Sequence, residues 1–303
     1  MTQSAENGRV LVSGATGRLG HVLVTHLIEA GFQVRATDQR MARDMPVDVE
    51  VADLTRADVC YGLCEGVQAV IHLANIPSSG YTDPQRLVWI NHTSNFNIFQ
   101  AAVAQGARKL IFASSIQILG TRRRLVENAP DNDAGFTLPL SERTPIAPDN
   151  EYALSKQMGE ETLRYFCQNF GVSGIALRFP WLRPKSYLIE GRTSRRYRSS
   201  RLPDYVAWLV QDDAATLCEA LLRANLPGYR VYLPSATEAN DGGTLQAFYQ
   251  RWYQATRLER PLEELESLVD IQTVVRETGW RPRTIAEFRA EAGVAADSVG
   301  AST

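Results

Sequence analysis

Three glycines spaced three apart, Gly14, Gly17 and Gly20, follow the apolar run Val10-Leu11-Val12 and constrain this chain more than any other stretch. The pattern reads as strand, tight turn and helix start. Gly14 permits the turn, Gly17 lets backbone approach a pyrophosphate, and Gly20 lets the helix pack closely on the sheet, with the phosphates at the positive helix N-terminus. Thr16, Arg18 and Leu19 share that loop and join the candidate cofactor contacts. The spacing alone also fits an ordinary glycine-rich turn, so the rest of the chain has to supply the context.

A chain of 303 residues with 44% hydrophobic residues can bury a large core, as one big domain or two unequal ones. Its net charge of −2 provides no field to attract nucleic acid or an anionic membrane. The four cysteines, Cys60, Cys64, Cys167 and Cys218, form no C-x-x-C pair and no zinc spacing. They read as buried thiols in a reducing compartment, with no metal expected. No signal-like or membrane-spanning run is visible, so a cytoplasmic protein is expected.

Apolar residues recur at helical spacing from Leu19 to Ala30, and a second strand runs from Phe32 to Thr37. Asp38 ends it, eighteen residues after Gly20, where a carboxylate hydrogen-bonds ribose hydroxyls and repels a 2′-phosphate. That favours NAD over NADP, although Arg40 nearby suits the phosphate. Residues 47–51 read as a third strand. Asp53 and Leu54 follow it, either to meet the adenine or, for Asp53, to cap a helix. The run 69–74 suits a strand buried on both faces, with Leu73 and Ala74 at its cofactor end and His72 as a satisfied core histidine. A long helix over 87–103 and a strand over 109–113 continue an alternation that predicts an α/β, Rossmann-type, doubly wound parallel sheet.

That last strand ends in Ser114-Ser115, and Tyr152-Ala153-Leu154-Ser155-Lys156 opens a helix reaching about Phe170. Tyr152 and Lys156 are four apart and share a helix face. A tyrosine phenol has a reference pKa of about 10, and a neighbouring ammonium lowers it by favouring the phenolate. Such a pair can take a proton from a substrate hydroxyl while hydride leaves the same carbon, with Ser115 holding the oxygen. The chain has only three lysines among 32 basic residues, so a chance match at this spacing is improbable. The preference for arginine elsewhere fits a role at 156 that a planar guanidinium fills poorly.

These pieces resemble an extended short-chain dehydrogenase/reductase of the NAD-dependent epimerase/dehydratase family. Further matches are His72-Leu73-Ala74, Asn91, Glu142 with Pro145 and Pro148, Arg178-Phe179-Pro180, Asp212-Asp213 and Gly279-Trp280-Arg281-Pro282. The likeness covers roughly residues 9 to 290. It implies that Ser115 orients the substrate oxygen, that Tyr152 is the base, and that Lys156 binds the nicotinamide ribose and tunes the tyrosine. It also implies a homodimer through the helices near 87–105 and 151–170. Ile116-Gln117 stands where the family's dehydratases carry an acidic pair, which speaks against a sugar dehydratase. Phe179-Pro180-Trp181-Leu182-Arg183-Pro184 departs from the family's usual turn.

The segment 121–150 is longer than a minimal loop and carries Arg122-Arg123-Arg124, as a lid that grips an anion or as a solvated charge run. Arg192, Arg195, Arg196, Arg198 and Arg201 form a second cluster, read as an anion pocket, a solvent-exposed loop or a nucleic acid surface, the last without any accompanying binding module. Ser114, Trp181, Arg183 and Arg192 are the candidate substrate contacts. Residues 1–178 are expected to be the NAD-binding domain, with 203–235 returning to it. Residues 179–303 are expected to be mainly substrate-binding, with helical patches at 245–253, 262–268 and 270–278 and a frayed tail from about 291. The expected activity is NAD-dependent chemistry at a hydroxyl carbon of a sugar or sugar nucleotide. A 4-epimerase comes first, a net sugar or uronate dehydrogenase or reductase second, and a non-catalytic NAD sensor third.

Overall fold

The computed structural model describes residues 8–120, 137–189, 206–239, 243–254 and 256–293. Arg122-Arg123-Arg124, Arg192 with the rest of its cluster, and the tail beyond 293 lie outside the described residues.

The glycine run is flanked by β1 (Arg9–Ser13) and α1 (Arg18–Glu29), followed by β2 (Gln33–Asp38), β3 (Val49–Val51), α2 (Ala57–Cys64), β4 (Ala69–His72), α3 (Pro84–Ala104), β5 (Lys109–Ser115), α4 (Glu151–Phe170) and β6 (Ser173–Phe179). After β7 (Trp181–Arg183) and the short α5 (Ser186–Ile189) come β8 (Trp208–Val210), α6 (Gln211–Arg223), β9 (Tyr229–Tyr232), α7 (Leu245–Trp252), α8 (Gln272–Thr278) and α9 (Ile285–Glu291). Seven strands form one sheet in the order β3-β2-β1-β4-β5-β6-β9, and every neighbouring pair is parallel. The Rossmann-type α/β expectation is met. β7 and β8 pair apart from it, also in parallel.

Strand alternation explains the two-faced burial. Val10 and Val12 point into a core shared with Leu23, Leu27, Ile111, Leu217 and Leu221 from α1, β5 and α6. Leu11 points the other way, into a core with Val70, Phe99, Phe112, Leu163 and Phe166 from β4, α3, β5 and α4. Phe99 and Phe112 meet edge to face at 5.8 Å, which adds about 1 kcal/mol to the burial of the rings themselves. The four cysteines are buried free thiols, and burial pushes Cys60 up to about 12, so they pack rather than react.

Two long-range ties place the chemistry-bearing elements. The Lys109 ammonium donates to the carbonyls of Leu221, Leu222 and Ala224, clamping the start of β5 to the C-terminal end of α6. Glu160 of α4 forms a buried ion pair with Arg178 of β6, at 3.0 and 3.1 Å, and accepts from Ser114 of β5 at 2.6 Å. Asn150 caps α4 by accepting from the Ala153 N–H.

The C-terminal third differs from its sequence reading in detail. Residues 262–268 make only a 3-10 turn at Leu262–Glu264. The reason is tertiary: the Leu268 carbonyl accepts from the Leu140 N–H and the Asp270 N–H donates to the Leu140 carbonyl, which holds that backbone extended. Asp212 and Asp213 lie in the first turn of α6 without capping it. Asp213 instead takes the Arg283 backbone N–H and guanidinium, at 2.9 and 2.8 Å.

Candidate active site

The glycine loop leaves β1 at the point where the sheet order reverses, between β1 and β4, which is where open α/β sheets bind ligands. Gly14 has φ of +73°, and a Cβ there would lie 2.8 Å from the Ala74 nitrogen. Backbone from two strands therefore touches at this corner. A Cβ on Gly20 would lie 2.1 Å from the Gly14 carbonyl, so only glycine lets α1 begin this close to the strand. Gly17 and Arg18 are exposed, and among the described residues no side chain caps the first turn of α1, leaving its N–H groups to an outside acceptor. An open, Cβ-free cradle at a helix N-terminus fits a pyrophosphate. Asp38 sits beside it, one carboxylate oxygen accepting from the Thr16 N–H at 3.1 Å and the other from the Arg40 N–H at 3.3 Å. The carboxylate of Asp53 folds onto the Thr55 N–H and hydroxyl, organising the turn ahead of α2, whose N-cap is Arg56. Leu54 is buried below it, its carbonyl taken by Asn97.

Tyr152 and Lys156 come together in the first turns of α4. The Lys156 nitrogen lies 5.6 Å from the Tyr152 ring centre and 5.0 Å from that of Phe112. It donates to the Asn75 Oδ1 and to the Ala113 carbonyl, both at 2.7 Å. Lys156 is only 3% exposed, and burial pushes its pKa down to about 7. Ala113 precedes Ser115 by two residues on β5, so the lysine and the serine share one strand end. The Ser115 oxygen accepts from the Gln117 N–H at 3.2 Å, which leaves its proton for a substrate oxygen.

The remaining sequence candidates divide. Leu73 and Ala74 lie against Gly14, with the Leu73 N–H bonded to the Ser13 carbonyl. Ser114, expected near substrate, is turned to the opposite face of β5 and donates to Glu160, because neighbouring strand residues face opposite ways. Arg183 is 4% exposed, with its guanidinium 4.2 Å from the ring centres of both Trp181 and Tyr187 and 5.4 Å from Trp208. It packs β7 and β8 against α5 rather than presenting an open cation. Trp181 is half-buried and packs edge to face with Tyr187.

His72 is the satisfied core histidine expected, bonded to Ser13 at 2.6 Å and Asn95 at 2.9 Å, and burial with the nearby lysine charge holds it down to about 3. Asn75, Asn91 and Ser155 carry roles that residue type did not announce. Asn91 spans Ile76 and Ser155, tying the loop after β4 to α4. The one signal for Asn75 was a polar residue directly after an apolar run, and for Asn91 its place in the family resemblance.

Residues 10–186 match the family described as NAD dependent epimerase/dehydratase. The chain belongs to that family. It is therefore an NAD-dependent enzyme of the extended short-chain dehydrogenase/reductase type. Among curated relatives, the uronate dehydrogenase of Pseudomonas syringae pv. tomato is 28% identical over 235 residues, 76% of this chain and 74% of that protein. The uronate dehydrogenase of Agrobacterium fabrum is 27% identical over 237 residues, 78% of each chain. The NAD-dependent glucose-6-phosphate dehydrogenase of Haloferax volcanii is 28% identical over 234 residues, 74% of this chain and 83% of that one. In solved structures the fold recurs in a short-chain dehydrogenase/reductase superfamily protein from Agrobacterium tumefaciens with bound NAD, at TM-score 0.70, 19% identity, and 94% and 95% coverage. It recurs in uronate dehydrogenase from Agrobacterium tumefaciens at TM-score 0.63, 20% identity, and 97% and 92% coverage.

Proposed function

We propose that this family member is a net NAD-dependent dehydrogenase of a free sugar or sugar acid, the second of the two enzymatic readings of the sequence. The observation that carries it is the convergence of Tyr152, a buried Lys156 and Ser115 at the strand ends beside the glycine loop. Relatives named as uronate and sugar dehydrogenases over about three quarters of the chain support the substrate class. In this reading the Gly14 to Gly20 loop and the N-terminus of α1 hold the pyrophosphate, and Asp38 holds the adenosine ribose.

NAD, when bound, supplies the hydride acceptor. Ser115 donates its hydroxyl proton to the substrate oxygen and fixes it. Tyr152, as phenolate, removes the proton from that oxygen. Lys156 holds positive charge beside the phenolate and keeps a donor for the nicotinamide ribose. Ser114 and Arg183 act in the scaffold. Residues up to β6, together with α6 and β9, form the nucleotide-binding part, and the remainder shapes the sugar end.

The test uses purified protein, NAD and a panel of free aldoses, uronates and nucleotide sugars. NADH absorbance accumulating in proportion to a sugar or sugar acid is expected. Interconversion of a nucleotide sugar without net NADH means that the enzyme is an epimerase instead.

The protein is further proposed to work in the cytoplasm as a homodimer. Trp89 and Phe96 of α3 are 58% and 39% exposed, and Leu154 and Tyr165 of α4 are 43% and 48% exposed, on two helices packed side by side. Large apolar residues exposed on adjoining helices mark an association surface. Sedimentation equilibrium is expected to give twice the chain mass, and Trp89→Lys is expected to give monomer. A wild-type monomer at assay concentration ends the proposal. No helix among the described residues is long and apolar enough to cross a membrane.

A further inference from the structure

We propose that Asn75 is a positioning residue of this site: its Oδ1 fixes the Lys156 ammonium, and through Asn95 and His72 its amide ties that charge to Ser13 at the foot of the glycine loop. The inference rests on the assignment of Tyr152 and Lys156 as the acid–base pair.

The order of the buried hydrogen bonds follows from one charge. An ammonium can only donate, so the atom 2.7 Å from Lys156 Nζ is the Asn75 acceptor, Oδ1. Its Nδ2 therefore donates, to the Ala74 carbonyl at 2.7 Å and to the Asn95 Oδ1 at 2.9 Å. That same Asn95 oxygen lies 2.9 Å from His72 Nε2, which must then carry the ring proton. His72 Nδ1 is left as an acceptor, and the Ser13 hydroxyl donates to it across 2.6 Å. Asn95 Nδ2 is buried with no hydrogen-bond partner among the described residues. Turning that amide over would set two NH2 groups against each other, so the chain holds the costlier orientation.

Little else steadies the ammonium. From β5 it meets the Phe112 ring and the Ala113 carbonyl, from β4 the uncharged His72, and from its own helix Tyr152. Asn75 and Ala113 take two of its three N–H groups, and the third remains for the reacting side. Asn75 stands 81 residues from Lys156 and is held by no secondary structure of its own, so its bonds to the Ala74 carbonyl and to Asn95 are what aim it.

The chain has three lysines, Lys109, Lys156 and Lys185, so the apo protein labelled at lysine Cε gives three assignable NMR signals. In Asn75→Ala, the Lys156 titration midpoint is expected to fall by about one pH unit, the equivalent of one lost charge-stabilising contact. Turnover is expected to drop about tenfold, with KM for NAD within about threefold, since Ala113 still anchors the ammonium and its spare donor remains for the ribose. Asn75→Asp keeps an acceptor for the ammonium. It is expected to restore turnover to within about threefold of wild type, and to reverse the chain: Asn95 turns its spare Nδ2 to the carboxylate and His72 moves its proton to Nδ1.

A merely structural Asn75 predicts an unshifted Lys156 titration in Asn75→Ala, because in that role nothing acts on the ammonium. An unchanged Lys156 titration in Asn75→Ala, or Asp as impaired as Ala, overturns the proposal. Should the variants fail to fold, 15N spectra of wild-type histidines decide it: Nε2–H at His72 supports the chain and Nδ1–H refutes it. The titration and the tautomer are read without substrate, so they stand even if no sugar is turned over.

Discussion

Lys156→Met yields a protein that resists denaturant better than wild type near neutral pH while its turnover falls about 10³-fold, the range set by removing a participant in general acid–base catalysis. The stability half follows from the titration. In the folded chain Lys156 is pushed down to about 7 from an ordinary 10.5, so the unfolded chain binds more protons between those values. Stability of the wild type therefore rises as pH climbs from about 7 towards 10.5, and the penalty is fully present at pH 7 and below. The drop corresponds to roughly 5 kcal/mol. Methionine removes that penalty but leaves the Asn75 and Ala113 oxygens without a donor, which costs about 1 to 2 kcal/mol each.

A net gain of about 2 kcal/mol at pH 7 is expected, shrinking to nothing by about pH 8.5 and turning into a loss above it, because the penalty falls by about 1.4 kcal/mol per pH unit while the cost of the two unpaired oxygens stays. Urea midpoints of both proteins at several pH values measure it. A wild-type midpoint that does not rise over this range sinks the argument. Tyr152→Phe is the counterpart: it loses comparable turnover without the stability gain, because it leaves the buried Lys156 ammonium in place. Activity here is maintained at the expense of stability.

Glu160→Gln has the opposite character, with a fold that weakens by about 3 to 5 kcal/mol because the change strands a buried guanidinium. Glu160 and Arg178 are 4% and 6% exposed and face each other across α4 and β6. The amide keeps the shape and the Ser114 contact but leaves Arg178 with only the Glu142 carbonyl as a second partner. Against a typical total of about 5 to 15 kcal/mol, that is a third or more of the stability. The paired change Glu160→Leu with Arg178→Met is expected to recover most of it, since neither charge then has to leave water. Thermal melts of the three proteins provide the measurement. A Glu160→Gln midpoint within a degree or two of wild type means the pair contributes little.

Local signals carried much of this structure. The glycine spacing, the alternation of strands and helices and the i, i+4 placing of Tyr152 and Lys156 are all properties of a few neighbouring residues, and the fold follows them. Thr284-Ile285-Ala286-Glu287 was equally legible, as a capping box that starts α9, and the sequence reading passed over it. What stayed hidden depends on distant partners. Residues 262–268 have a helical pattern, but they turn only over Leu262–Glu264, and pairing with Leu140 takes up the backbone at 268–270. Ser114 and Ser115 are indistinguishable by type, and the pleat alone sends one to Glu160 and the other to the strand end. Asn75 shows its role only when Lys156 is placed beside it. Arg183 reads from sequence as a substrate contact, and only the fold brings three aromatic rings around its guanidinium.

The two serines ending β5 have a consequence for how the enzyme tolerates error. A one-residue slip of that strand towards its C-terminal end would put Ser114 where Ser115 stands, so the reacting position would still hold a hydroxyl while Ala113 took the place of Ser114 beside Glu160. The hydroxyl at the reacting position thus gives no protection by itself against the wrong alignment. Protection comes from the opposite end, where the three carbonyls at the end of α6 accept one ammonium from Lys109 and would lose it on a slip of about 3.3 Å. The lysine farthest along β5 from the chemistry acts as the ruler by which the right serine is delivered.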